Sequence, residues 1–231
     1  MNNDQAKLFA NNIFNQLLEA KTISEVKNIE NHVDLFKFKM KKEDYPKIHF
    51  AIDPAKIAEL KAAEIILEDG SLNEMISKRI TDPLTMLLYS LSWKNGDLKK
   101  VKHIVKGILD HETEDDKKDD GLTFYQFGKY LTKSKGQPIV DQHVIRAFCV
   151  HKFPDDVEIW RKTSVLNKSH KDKIIKYKNW LSTELQPELM NESEYGYHID
   201  KVLFATGRAI KLQYQPKNLT AVSSKSENTP S

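Results

Sequence analysis

The chain has 231 residues, of which 39% are hydrophobic and 30% are charged, and its formal net charge is +3. This length is enough for one packed domain or for two lobes packed together, because domains usually run to ~100–200 residues. A net charge this small does not by itself indicate a nucleic-acid partner, so the position of the lysines matters more than their excess. The single cysteine, Cys149, excludes an intrachain disulfide, and its apolar neighbours favour a buried thiol.

Neither a membrane segment nor a leader is expected. No apolar run approaches the ~18 residues that a membrane helix needs. The first residues, "MNNDQAKLFANN", lack the basic-then-apolar order of a signal peptide. We therefore predict a cytoplasmic protein without membrane contact. The sequence contains no phosphate-binding glycine loop, no C-x-x-C and no H-E-x-x-H, so we predict neither a cofactor nor a metal.

Helical periodicity dominates the chain and predicts an all-α fold of about ten helices. In the first third the predicted helices run over 2–20 and 22–33, from Asp53-Pro54 towards Gly70, and onward from Ser71. Residues 44–54, bracketed by two prolines, are interpreted as an extended connector. The next helix begins at Thr81-Asp82-Pro83. Its sequence "LTMLLYSLSW" is apolar almost all round, which predicts a helix at the centre of the core.

The helix after the "KNGD" turn is amphipathic. Apolar residues between 101 and 109 recur on one face, while Lys99, Lys102, His103 and Lys106 lie on the opposite face. This basic stripe is either an ordinary solvated face or a surface that contacts phosphates. The charge-dense segment that follows, 110–121, is predicted to be a surface loop.

Five further helices are predicted in the second half: 122–132, the segment beginning near 142, 154–161, the lysine-rich 165–185, and 197–212. Beyond Tyr214 the composition is polar and rich in serine, so 215–231 is predicted to be a disordered tail. The expected organisation is one all-α domain over 1–214, either single or made of two packed lobes.

One short segment carries the strongest functional signal. Within "PIVDQHVIRAF", residues 138–148, the pattern is formed by Val140, Asp141, His143, Val144 and Arg146. These residues match a "V-D-x-H-V-x-R" segment, and the chain therefore resembles the helix-hairpin-helix DNA glycosylase superfamily. The resemblance covers roughly residues 80–212.

The resemblance implies a two-lobed helical fold, DNA binding and excision of a damaged base. In that family the aspartate lies at the start of a helix and faces the extruded nucleotide, a role that falls on Asp141. A fixed carboxylate there stabilises an oxocarbenium-like transition state and activates a water. The chain also departs from the family. The hairpin pattern L-P-G-V-G-x-K-x-A is replaced by "GLTFYQFGKYL", and the Schiff-base lysine of bifunctional members would fall at Leu122 or Thr123.

Several alternatives stay open at the level of sequence. Asp141 is either a catalytic carboxylate or only a helix N-cap. His143 either orients Asp141 or is structural, and Arg146 either contacts phosphate or is solvated. The candidate aromatic walls of a base pocket are Trp93, Tyr125 and Phe127.

The functional hypothesis is a DNA-binding, glycosylase-like protein, with monofunctional base excision by an Asp-activated water. The alternative is a non-catalytic helical module that binds nucleic acid or a protein partner. A chance match in an unrelated helical protein is the third reading.

Overall fold

A computed structural model describes residues 1–112 and 121–213 of the chain. Within these residues there are twelve α-helices and four short 3₁₀ helices but no strands, and one isolated antiparallel bridge joins Ile66 to Leu72. The predicted all-α fold is therefore confirmed. The predicted tail, 215–231, and most of the predicted acidic loop lie outside the described residues.

The α-helices are numbered in chain order: α1 (Asn3–Glu19), α2 (Ile23–Glu30), α3 (Val33–Phe36), α4 (Pro54–Ala62), α5 (Pro83–Lys94), α6 (Val101–Leu109), α7 (Leu122–Leu131), α8 (Gln142–Lys152), α9 (Val157–Lys162), α10 (Lys171–Thr183), α11 (Pro187–Asn191) and α12 (Tyr195–Leu212). Helices α1, α2, α4 and α5 each begin at a side-chain cap, since Asn2, Thr22, Asp53 and Asp82 each accept a backbone N–H of the first turn. These caps explain why the predicted starts of these four helices agree with the structure. The helix predicted onward from Ser71 is instead the short 3₁₀ helix Glu74–Lys78.

The larger hydrophobic cluster is built around α8 and α12. Both helices are buried along most of their length, and α1, α2, α9 and α10 pack around them. Gly207 permits the close approach of the two central helices. A Cβ at this position would lie 1.9 Å from the carbonyl oxygen of His143.

The smaller cluster lies between α4 and α6, where the side chains of Ile57, Ile66, Val105 and Ile108 meet. Helix α6 also packs tightly on α7, since a Cβ on Gly107 would lie 2.0 Å from the Tyr125 carbonyl oxygen, and one on Gly128 would lie 2.1 Å from that of Ile104. Helix α7 connects the two regions, because Leu122 at its start belongs to the larger cluster.

The apolar helix α5 departs most from expectation. It begins and ends close to the predicted positions, but none of its twelve residues, all within the described part of the chain, is buried. The prediction that α5 lies at the centre of the core is therefore wrong. The physical reason is that, within the described residues, α5 contacts the rest of the protein mainly through the short 3₁₀ turn Leu98–Lys100, so its apolar side chains stay exposed.

Another predicted helix is shorter than expected. The predicted long helix over 165–185 is a 3₁₀ turn, Lys168–His170, followed by the shorter α10. His170 is half-buried, and its Nδ1 accepts the backbone N–H of Asn167 at 3.0 Å at the start of that turn. Cys149 is buried as predicted, and its burial raises the pKa of the thiol.

Candidate functional site

Asp141 is the N-cap of α8. Its Oδ1 accepts the backbone N–H of His143 at 2.6 Å and that of Val144 at 3.1 Å, so one oxygen serves both cap bonds. Partial burial raises the pKa of this carboxyl group, although the two N–H donors and the Arg146 charge act in the opposite direction. The capping role proposed from the sequence is thus realised, and Oδ2 is left out of the cap.

Arg146 lies inside the protein rather than on its surface. Its guanidinium donates to three backbone carbonyls: those of Trp160 at 3.2 Å, Gly207 at 3.3 Å and Thr163. Burial lowers the pKa of Arg146 to about 10, so the group stays charged at neutral pH. The predicted phosphate contact does not fit this burial, because other helices cover the side of α8 from which the Arg146 side chain projects. Arg146 instead ties α8 to α9 and α12.

His143 supports Arg146 rather than Asp141. Its Nδ1 lies 2.6 Å from Nη1 of Arg146, and its ring meets Phe204 edge-on at 5.0 Å between centroids. Burial first, and then the Arg146 charge, lower the pKa of His143 to about 4. The imidazole is therefore neutral at pH 7, and its Nδ1 accepts a hydrogen bond from the Nη1–H of Arg146. Of the two roles left open by the sequence, this geometry favours the structural one.

A second buried carboxyl group, Asp200 of α12, fixes the chain just before Asp141. It accepts the backbone N–H of Ile139 at 2.7 Å and the hydroxyl of Tyr177. Burial above all, and the nearby charge of Asp141, raise the pKa of Asp200 to about 8. Sequence reasoning missed this residue. The available signal was an aspartate directly beside Ile199 on the apolar face of the last helix.

The three candidate aromatic rings have separate surroundings. Trp93 is exposed on α5, Tyr125 is buried and donates its hydroxyl to Asp110 at 3.2 Å, and Phe127 stacks on Tyr130. Neither these rings nor Asp141 line the cavities described below. The structure therefore does not gather them into the base pocket that the sequence suggested.

The predicted lysine stripe is on the surface. Lys99, Lys102 and Lys106 are all exposed along α6 and the turn before it. A cavity of about 320 Å³ is lined by Lys99, Lys100, Lys102 and the ring of Phe124, and the Nζ of Lys100 lies 4.6 Å from that ring's centroid. We call this region, together with Lys106, the basic cleft.

The basic cleft also touches the second lysine-rich segment. Val165 and Leu166, which begin the predicted basic stretch 165–185, line the same cavity. The structure thus brings the beginnings of the two predicted basic segments together. Phe124 was not singled out from the sequence. It lies two residues after the start of α7, beside the lysine stripe.

A larger cavity of about 550 Å³ opens between the segment 133–138 and the start of α12. Its walls include tyrosine rings and charged groups of both signs: Tyr130, Tyr195, Tyr197, Lys133, Lys135, Glu192 and Glu194. Three lining residues have left-handed backbone, with φ of +58° at Lys133, +78° at Gly136 and +63° at Glu194. Such strain gathers at functional sites and at tight turns alike. The opposite charges leave the cavity without a preference for anions or cations.

No protein family, curated protein or solved structure matches this chain. Among the described residues there is no group of three side chains placed to hold a metal ion. No helix in that part of the chain is both long and apolar enough to cross a bilayer. Function therefore has to be inferred from the chain's own residues.

Proposed function

We propose that this protein binds duplex DNA through the basic cleft. The observation that supports this most directly is the grouping of Lys99, Lys100 and Lys102 with the ring of Phe124 around one cavity. Lysine ammonium groups neutralise phosphates and release counterions, which supplies most of the affinity of a protein for the DNA backbone. An aromatic ring among such lysines adds a flat surface that packs against sugars or bases.

The dimensions of the stripe suit a DNA backbone. The span from Lys99 to Lys106 along the helix is about 10 Å at ~1.5 Å per residue. A DNA strand carries one phosphate per about 3.4 Å of helix axis, so the stripe faces about three phosphates. Lys99, Lys102 and Lys106 are the exposed lysines of the stripe, whereas Lys100 is half-buried and bonded to Asp97. We therefore assign the phosphate contacts to Lys99, Lys102 and Lys106.

Affinity measurements on two matched triple variants test this proposal. The first variant changes Lys99, Lys102 and Lys106 to Ala. The control changes Lys37, Lys41 and Lys42 to Ala. These lysines are also exposed, but they follow α3 in the chain and lie outside the basic cleft. Fluorescence anisotropy with a labelled duplex at low salt should show at least about tenfold weaker binding for the first variant only. Equal loss in both variants, or no binding by the wild-type protein, contradicts the proposal.

Base excision is a second candidate function, and it rests on Oδ2 of Asp141. Both cap bonds use Oδ1, so Oδ2 is available to hold a water. In that reaction the water oxygen bonds to C1′ of the deoxyribose, its proton passes to Asp141, and the base leaves with the electrons of the glycosidic bond. The partial burial that raises the pKa of Asp141 also makes the carboxylate a better base.

The catalytic hypothesis is tested by base release from duplexes carrying alkylated, deaminated or oxidised bases. Asp141→Asn keeps the cap but has no carboxylate to accept a proton, so it should abolish release while leaving DNA affinity unchanged. If the wild-type protein releases no base, or if Asp141→Asn is as active as wild type, catalysis by Asp141 is excluded. DNA binding by the basic cleft does not depend on this result.

A further inference from the structure

The cavity of about 550 Å³ beside the start of α12 has two oppositely charged sides. Lys133 and Lys135 lie on the segment 133–138 and form the lysine wall, whereas Glu192 and Glu194 lie just before α12 and form the glutamate wall. Among the described residues no ion pair joins the two walls. A ligand with a single charge would meet a like charge on one wall, so the cavity suits a ligand that carries both signs.

Both walls keep hydrogen-bonding capacity that the described part of the chain does not use. Lys135 is exposed and has no partner there, and Lys133 donates once, to the carbonyl oxygen of Ile48 at 3.0 Å. An ammonium group has three donors, so two remain on Lys133. On the glutamate wall, Glu192 uses only Oε1, which accepts the backbone N–H of Ile23 at 3.0 Å. Donors are thus available on one wall and an acceptor oxygen on the other.

Two tyrosine hydroxyls also remain available in the walls of the cavity. Tyr130 and Tyr197 line it, and within the described residues neither hydroxyl has a hydrogen-bond partner or is shut off from solvent. Their ring faces are less available, because the Nζ of Lys133 lies 3.9 Å from the Tyr130 ring centroid and that of Lys47 lies 5.4 Å from the Tyr197 centroid. A phenol hydroxyl donates to a carboxylate and accepts from an ammonium group, so it serves either end of a doubly charged ligand.

Each wall holds one charged residue in left-handed backbone conformation. The φ angles are +58° at Lys133 and +63° at Glu194. In the described part of the chain the other non-glycine residue with positive φ is Glu64, which does not line the cavity. Glycine adopts this conformation without strain, so the chain keeps these two charged side chains at a cost in stability. Strain of this kind is retained where a side chain is needed in a fixed place.

We propose that this cavity binds a small zwitterion, an amino acid or a dipeptide, with its carboxylate on the lysine wall and its ammonium group on the glutamate wall. Ion pairs of this kind are also hydrogen bonds, and they are stronger than bonds between neutral groups. The volume lies within the range of ~300–1,000 Å³ that small-molecule sites occupy. The lysines of the basic cleft do not line this cavity, so the proposal does not depend on DNA binding.

Isothermal titration calorimetry of the full-length protein tests the ligand class. The probes are the standard free amino acids and the dipeptide alanyl-alanine. At least one of them should bind with a millimolar or lower dissociation constant. Its N-acetyl derivative keeps only the negative charge and its amide keeps only the positive charge, so each should bind at least about tenfold more weakly. The proposal is overturned if no probe binds, or if either blocked form binds as tightly as its parent.

Glycine variants test the two walls separately from folding. Lys133→Gly and Glu194→Gly should each weaken binding of that probe at least about tenfold without lowering the melting temperature, because glycine relieves the left-handed strain. Glu64→Gly relieves the same strain away from the cavity, so it should leave affinity unchanged. Lys135→Ala removes a side chain without a partner among the described residues, and it should weaken binding at wild-type stability. Unchanged affinity in the Lys133, Lys135 and Glu194 variants, or an equal loss in Glu64→Gly, contradicts the site.

Discussion

Helices α5 and α8 are of similar length and lie in opposite environments. Helix α8, "QHVIRAFCVHK", contains an arginine and two histidines, yet it is buried over most of its length. Helix α5, "PLTMLLYSLSWK", is far more apolar, yet it is exposed on nearly all sides. Composition alone therefore does not decide burial. What decides it is whether neighbouring elements offer matching surfaces and satisfy the polar groups that go inside.

Helix α8 meets both conditions. Four helices contact it, and the donors of Arg146 reach carbonyl oxygens and the ring of His143. In the part of the chain that the structure describes, the main neighbour of helix α5 is the 3₁₀ turn Leu98–Lys100. Substitutions in the two regions should consequently differ in stability cost.

The largest expected effect is at Arg146. Replacement by Ala removes the Arg146 donor from three carbonyl oxygens, two of them in buried contacts, and opens a cavity, so it should lower the free energy of unfolding by on the order of 3 kcal/mol or more. Arg208→Ala, at a half-buried arginine of α12, should cost less than about 1 kcal/mol. Urea denaturation of both variants makes the comparison. An Arg146→Ala variant as stable as Arg208→Ala would show that the buried arginine does not hold α8 in place.

The two glycines of α12 should respond in opposite directions. Gly207→Ala places a Cβ 1.9 Å from the His143 carbonyl oxygen, so α8 and α12 must separate, at a cost of roughly 2–3 kcal/mol. The nearest atom to a Cβ at Gly196 is a Leu181 methyl carbon at 3.6 Å. Gly196→Ala should therefore stabilise the protein by roughly 0.5 kcal/mol through helix propensity. Thermal unfolding of the pair measures this, and equal melting temperatures would contradict the packing described for α8 and α12.

Substitutions at Asp141 should have a smaller effect on stability, and the size of that effect should depend on whether the new side chain can cap the helix. Asp141→Ala should cost about 1 kcal/mol, because two N–H groups of α8 lose their acceptor, whereas Asp141→Asn should cost only a few tenths. Differential scanning calorimetry distinguishes the two. If Asn and Ala are equally destabilising, the charge of Asp141 and not its cap bonds stabilises the helix.

The stability of the protein should also depend on pH, and this dependence comes from Asp200. Its pKa is raised to about 8 in the folded protein from an ordinary value of 3.8. Between these two values the folded state keeps a proton that the unfolded state has released, so stability falls as the pH rises through this window. Asp200→Asn does not titrate, so its melting temperature should rise relative to wild type across the same window. Parallel melting curves across that range of pH would contradict the raised pKa.

Much of the fold could be predicted from the sequence because its signals are local. Caps such as Thr22 and Asp82 indicate where helices begin, and helical periodicity predicts that the segments of α8 and α12 are helices. The exposure of α5 could not be predicted in this way, since an apolar sequence says that a helix needs partners but not whether the chain supplies them. The burial of Arg146 was also missed, because an arginine gives no local sign that distant parts of the chain will supply acceptors for its hydrogen bonds. Its carbonyl partners, Trp160 and Gly207 among them, are distant in sequence and carry no side-chain signal.

The site was predictable to a lesser degree. The lysine stripe of α6 follows from its spacing, because residues on one helix face are neighbours wherever the helix lies. The place of Phe124 in the basic cleft depends on how α6 and α7 meet, and that meeting depends on Gly107 and Gly128. Asp200 was missed because its partners, Ile139 and Tyr177, lie on other elements.

The salt dependence of duplex binding tests the central claim, a phosphate-binding basic cleft, most directly. The logarithm of the binding constant should fall linearly with the logarithm of salt concentration, with a slope of about −0.9 for each phosphate contacted. Changing Lys99, Lys102 and Lys106 to Ala should make this slope shallower by about 0.9 for each lysine that contacts a phosphate. The Lys37, Lys41 and Lys42 control should keep the wild-type slope. A slope identical in both triple variants, or wild-type binding that does not change with salt, would contradict the account.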